Sequence, residues 1–142
     1  MDFNSPLAMK GRLTIALNDE VVQEINNLVV TTGKGYVASR MKDATATAMS
    51  HMAVGSGSTA AAPGDTALGS ESARVALTST TVSGADVVYV ATFGAGTGTA
   101  ALTEAAVLNA SSSGTMLCRT VFPIVNKGAS DSMTITWTVT AS

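Results

Sequence analysis

The sequence predicts a mainly β single domain with one short helix, and three observations carry that prediction. Residues 132–141 read S-M-T-I-T-W-T-V-T-A, with Met133, Ile135, Trp137 and Val139 on one parity and four threonines on the other. That period of two marks a strand with one apolar face, and its residue types suit a pleated backbone. Short apolar runs of the same kind recur along the chain, separated by Gly, Ser, Asn and Asp turns. Only residues 31–43 change period, with Tyr36, Val37, Arg40 and Met41 at helical spacing. At 142 residues the chain fits one domain that buries its core without metals or cross-links.

Taken in order, residues 1–9 form an arm containing Pro6, which suits neither a helix interior nor a central strand; it either frays or lies on a neighbour. The β-rich domain then spans residues 10–142. Residues 10–17 read as a strand with Leu13, Ile15 and Leu17 on one face, and Asn18, Asp19 and Glu20 turn the chain into residues 21–30. A hairpin is the simplest reading, with a helical middle as the alternative. The short helix near residues 32–43 is expected to take Thr31 or Thr32 as its N-cap, with Gly33 and Gly35 each weakening its start by about 1 kcal/mol. Residues 44–50 are a low-charge linker, residues 51–55 a short buried strand, and residues 56–70 the longest irregular segment, turning at Pro63-Gly64-Asp65.

Residues 71–80 are expected to be one strand with Val75 and Leu77 inward, and residues 83–86 a turn. Residues 87–93 read as a central strand covered on both faces. The glycines of residues 94–98 suit a mobile loop or a bulge. Residues 103–109 are the next strand, with Glu104 near its start; residues 111–114 turn the chain into residues 116–121. Phe122-Pro123-Ile124-Val125 continues toward a sheet edge because Pro removes a ladder donor. Lys127-Gly128 closes the turn into the Trp137 strand, whose apolar row would contribute roughly 1.5 to 3 kcal/mol per large side chain.

Composition argues against several functions. Charged residues are 13% of the chain and the net charge is −2, with a sequence pI near 5.1, whereas non-specific nucleic-acid binding needs a basic surplus. Mean hydropathy is +0.32 with only 4% aromatics, so Ala, Val, Leu, Ile and Met supply the apolarity. Such a surface carries few charges to hold copies apart, which suits both a protein that meets neighbours over large interfaces and a plain Ala/Thr-rich β domain. Cys118 is the only cysteine, so no intrachain disulfide forms, and its setting in a strand predicts a small core residue. The first residues lack a secretory-signal pattern, and no apolar run reaches the roughly 18 residues of a membrane span.

Chemistry-bearing motifs are absent or incomplete. Lys34-Gly35 lacks the spacing of a phosphate-binding loop, and residues 94–98 lack the rest of a dinucleotide fingerprint. His51 is the only histidine, and nothing in the spacing of Ser50, Asp65 or Asp86 groups them with it. The sequence therefore predicts no enzyme, with no catalytic, cofactor-binding or metal-binding residue.

Several blocks together carry a resemblance: N-L-V-V-T-T-G-K at residues 27–34, M-A-V-G-S-G-S-T-A at 52–60, D-T-A-L-G-S-E at 65–71, A-T-F-G-A-G-T-G at 91–98, L-T-E-A-A-V-L-N-A at 102–110 and G-T-M-L-C-R-T-V-F at 114–122. From about residue 27 onward the chain resembles small structural proteins of tailed-bacteriophage virions, which decorate the capsid or belong to the tail and fibre apparatus. The resemblance implies a β-sandwich-like module that works by assembling in many copies. Ala106 departs from the pattern, since relatives often carry Gly after the T-E-A block.

The expected function is then a capsid decoration, or cement, protein that forms a homo-oligomer, a trimer, and bridges major-capsid subunits. A tail, collar or fibre component is the alternative. Its location would be the virion, assembled in the host cytoplasm, and neither nucleic acid nor membrane would be a partner. A small-molecule or carbohydrate-binding module is the reading from a different class, since such folds carry ligand loops. The contact residues expected are Phe3, Pro6 and Leu7 on the arm; Thr59, Pro63, Asp65 and Leu68 in the 56–70 loop; and Thr97 and Ser112 on the tips.

Overall fold

The computed structural model describes residues 8–43 and 45–141. Strand β9 (Met133–Ala141) lies near the middle of a sheet, hydrogen-bonded on one side to β1 (Met9–Leu17) and on the other to β6 (Asp86–Phe93). Its alternation works as the sequence requires: Met133, Ile135, Trp137 and Val139 are buried, while Thr134, Thr136, Thr138 and Thr140 stay half-exposed on the opposite face. Around it run β2 (Glu20–Val29), β3 (His51–Gly55), β4 (Glu71–Ala76), β5 (Ser79–Ser83), β7 (Ala100–Leu108) and β8 (Met116–Lys127), with helix α1 (Thr31–Lys42) after β2. All the pairings are antiparallel, in the order β4-β3-β7-β8-β2-β1-β9-β6-β5.

The sheet curls so that its two halves face each other. One continuous core holds Leu13 and Ile15 of β1, Met52 and Val54 of β3, Phe93 of β6, Leu102 and Val107 of β7, and Trp137 of β9. The terminal strands β4 and β5 are consecutive in the chain. Between them the Leu77 N–H donates to the Ser50 carbonyl and the Thr78 N–H to the Val90 carbonyl, which draws the two ends of the sheet together. The mainly β domain with a single short helix is thus observed, and the facing halves supply the two layers of the sandwich-like expectation.

The β1–β2 hairpin turns through Asn18 and Asp19, both at positive φ (51° and 68°), the signature of a tight turn that matches strand twist. Strand β8 runs unbroken through Pro123, which is exposed where the β7 register skips between Leu102 and Glu104; the bulge accommodates the missing donor.

Four local expectations are corrected. Neither Thr31 nor Thr32 caps α1 through its side chain; Val30 is the N-cap, and the Thr32 hydroxyl instead donates to the Met116 carbonyl at 3.0 Å. The single strand expected over residues 71–80 breaks into β4 and β5, because Leu77 bonds to Ser50, just before β3, and Thr78 bonds to Val90 of β6. Strand β6 is covered on one face only, with Tyr89, Ala91 and Phe93 buried and Thr92 exposed. Strand β7 starts at Ala100, since Ala100, Ala101 and Leu102 pair with Lys127, Asn126 and Val125.

Helix α1 packs on β8 through Gly33, where an added Cβ would lie 2.0 Å from the Leu117 carbonyl oxygen. Gly33 therefore sets how closely the helix approaches the strand.

Candidate functional site

Strands β3 and β7 carry small residues on the face away from the main core. Ala53, Gly55 and Ala106 form a shallow trough, and the register sets a charged group at each side of it. Arg74, Ala53, Ala106 and Arg119 fall in one row across β4, β3, β7 and β8, with Glu71, Gly55 and Glu104 in the next. Residues 56–70 lie over this trough. An added Cβ on Gly55 would sit 2.2 Å from the Ser70 carbonyl oxygen, and one on Gly57 2.5 Å from Glu104 Oε2, so both positions exclude a side chain.

Glu104 is fully buried and accepts four hydrogen bonds. Its Oε2 takes the Gly57 and Ser70 N–H groups, each at 2.7 Å; its Oε1 takes the Gly69 N–H at 2.8 Å and Arg119 Nη2 at 2.9 Å. Burial works against the charged carboxylate, but the bonds from Ser70, Gly69, Arg119 and Gly57 outweigh it and hold the pKa below the ordinary glutamate value. Arg119 in turn donates Nη1 to Asp65 Oδ2 at 2.9 Å and Nη2 to the Thr59 carbonyl at 3.0 Å. The loop closes on itself where the Ser56 N–H meets the Ser70 carbonyl, and its tip is tied to α1 where the Thr31 N–H meets the Pro63 carbonyl at 2.8 Å.

A second arginine repeats the arrangement. Arg74 pairs with both oxygens of Glu71 and donates Nη1 to the Ala110 and Ser113 carbonyls, each at 2.9 Å, holding the turn at residues 110–114. Two loops on one side of the domain are thus each fixed by an arginine whose side chain is nearly buried.

The expected contact residues sort accordingly. Thr59 and Pro63 are exposed side chains on backbone that the clamp holds, and Ser112 is exposed on the turn that Arg74 holds. Thr97 is half-buried, in a turn whose Gly96 N–H bonds the Ala129 carbonyl. Asp65 is half-buried and accepts a bond from Arg119, and Leu68, also half-buried, packs on the small cluster of Val30, Ala53, Ala106, Leu108 and Met116. Phe3, Pro6 and Leu7 lie outside the described residues.

The clamp holds backbone in place: the four donors to Glu104 are three loop amides and the Arg119 guanidinium. His51 Nδ1 meets Ser50 Oγ at 2.7 Å, with no carboxylate bonded to that pair among the described residues. Cys118 is fully buried, and burial pushes its thiol pKa well up. Among the described residues no three His, Cys, Asp or Glu side chains gather as a metal site.

Glu104 and Arg119, the centre of the clamp, are not among the contact residues the sequence suggests. A signal was nevertheless present: each is a lone charge within an apolar strand run, A-A-L-T-E-A-A-V-L and M-L-C-R-T-V-F, and buried charges come paired.

The fold and this clamp define a curled antiparallel β domain that presents preformed loops. Comparison with protein-family models, with curated proteins and with solved structures finds no match.

Proposed function

We propose that this chain is a structural protein of a bacteriophage virion that decorates the capsid, binding where major-capsid subunits meet and cementing them. The reading rests on the sequence resemblance, and the observation that supports it best is the pair of loops fixed by Arg119 and Arg74 on one side of the domain. A loop ordered before contact loses little conformational entropy on docking, so a modest interface holds more firmly. The low charge of the chain removes a barrier to copies meeting one another. An oligomer of such domains spanning several shell subunits gains effective concentration, and by binding only the assembled lattice it stabilises that lattice.

The test is quantitative gel analysis of purified virions carrying this chain, together with heat release of packaged DNA from particles with and without it. Hundreds of copies per particle and a lower release temperature without the protein support the cement role. A handful of copies moves the chain to the tail, collar or fibre. Absence from the particle overturns the reading.

A further inference from the structure

Between α1 and strands β6, β8 and β9 lies a cleft of about 320 Å³, at the lower end of the roughly 300 to 1,000 Å³ of small-molecule pockets. Its floor belongs to the core: Tyr89, Leu117 and Val139 line it and are each under a tenth exposed. Tyr36, Val37 and Met41 of α1 form the wall, with Met41 exposed at the rim.

Two phenols make this cleft more than an apolar gap. Tyr89 is only 6% exposed, and its hydroxyl has no hydrogen-bond partner among the described residues, although a buried tyrosine ordinarily finds one. Burial, and next the neighbouring Tyr36, push the Tyr89 pKa well above the ordinary tyrosine value, so the group is a neutral O–H donor at physiological pH. The Tyr36 oxygen accepts the Met49 N–H at 3.3 Å, which leaves its own hydrogen without an acceptor among the described residues. Arg40, on the same wall, is held at the Ala46 carbonyl at 2.9 Å. The phenols are therefore donors in want of an acceptor.

We propose that this cleft binds a small neutral aromatic molecule carrying one carbonyl group, its ring between the α1 wall and the sheet floor and its oxygen accepting from Tyr89. An aromatic ring suits this lining, because rings pack edge-to-face or offset against phenols and methionine sulfur contacts ring edges favourably. A carbonyl oxygen brings two lone pairs, which supplies what the Tyr89 hydroxyl lacks. The floor residues carry no charge, so burying an ionised group there costs more than burying a carbonyl. The inference stands apart from the virion reading.

In the experiment the isotope-labelled full chain is titrated with acetophenone, and separately with ethylbenzene, a probe of nearly the same shape that lacks the oxygen, while backbone amide shifts are recorded. Saturable shifts centred on Tyr36, Met41, Tyr89, Leu117 and Val139 are expected with both, and acetophenone should bind about two- to tenfold more tightly, the worth of one neutral hydrogen bond. Tyr89→Phe removes only an oxygen that bonds nothing among the described residues, so the variant should fold as the native chain does and bring the two affinities together. Val37→Trp puts a large ring into the wall and should abolish the shifts from both probes. No saturable shift, or equal affinities in the native chain, overturns the proposal. So does a preference for acetophenone that survives in Tyr89→Phe. Shifts at the same residues that grow with protein concentration before any probe is added would seat a second copy in the cleft and likewise overturn it.

Discussion

Replacing Glu104 with Gln tests the clamp most directly, because the two side chains have nearly the same shape and differ in what they can accept. All four partners of Glu104 are donors, two on each carboxylate oxygen. A glutamine must turn its NH2 group toward one of those pairs. One orientation sets it against the Gly57 and Ser70 amides, the other against the Gly69 amide and Arg119. Two bonds are lost either way, and the Arg119 charge, 3% exposed, keeps only Asp65 as a carboxylate partner. Breaking a buried ion pair by removing one partner costs about 3 to 5 kcal/mol, and hydrogen bonds to a charged group are worth about 1.5 to 3 kcal/mol each. The expected loss for Glu104→Gln is therefore about 3 to 5 kcal/mol in urea unfolding. Amide hydrogen exchange should localise it, with Gly57, Gly69 and Ser70 losing protection while the β9 amides keep theirs relative to global unfolding. A loss under about 1 kcal/mol with those three amides still protected would refute the account of the clamp.

Four further outcomes follow from the same geometry. Because the folded-state pKa of Glu104 lies below its unfolded value, its contribution is fully present above the ordinary carboxylate range and is lost as pH falls through the lowered value; acid denaturation should be shallower in Glu104→Gln than in the wild type. Gly35→Ala meets nothing within 4 Å and should stabilise α1 by up to about 1 kcal/mol, whereas Gly33→Ala drives a methyl into the Leu117 carbonyl and should destabilise the fold, both read by thermal melts. Arg74→Ala should free the turn at residues 110–114, seen as faster exchange at the Thr115 amide and raised protease sensitivity at that turn. Trp137→Ala should cost about 3 to 5 kcal/mol, since the ring is fully buried at the centre of the core.

How much of this was legible depends on the range of the interaction concerned. The β9 strand, the Asn18-Asp19 turn, the body of α1 and the burial of Cys118 could be read directly, because periodicity and turn chemistry are properties of neighbouring residues. The break at Leu77 and Thr78 could not, since it is set by carbonyls at Ser50 and Val90 that belong to opposite ends of the sheet. Thr32 looked like a helix cap and was claimed by Met116 of β8. The composition of residues 56–70 marks an irregular loop, but its order comes from Glu104 and Arg119, which lie 34 and more residues further on. What the eye for pattern misses is long-range pairing of isolated charges. In a chain this poor in charge, each such residue inside an apolar strand is a reason to look for its partner.

The strand β5 closes one side of the sheet in an unusual way. Among the described residues its five, S-T-T-V-S, pair only with β6; they are exposed along their whole length and include neither a lysine nor a proline to turn away a foreign backbone. Concentrated solutions of the protein should therefore thicken by strand-to-strand zippering along this border. Thr81→Lys would be the economical remedy for crystallisation or storage.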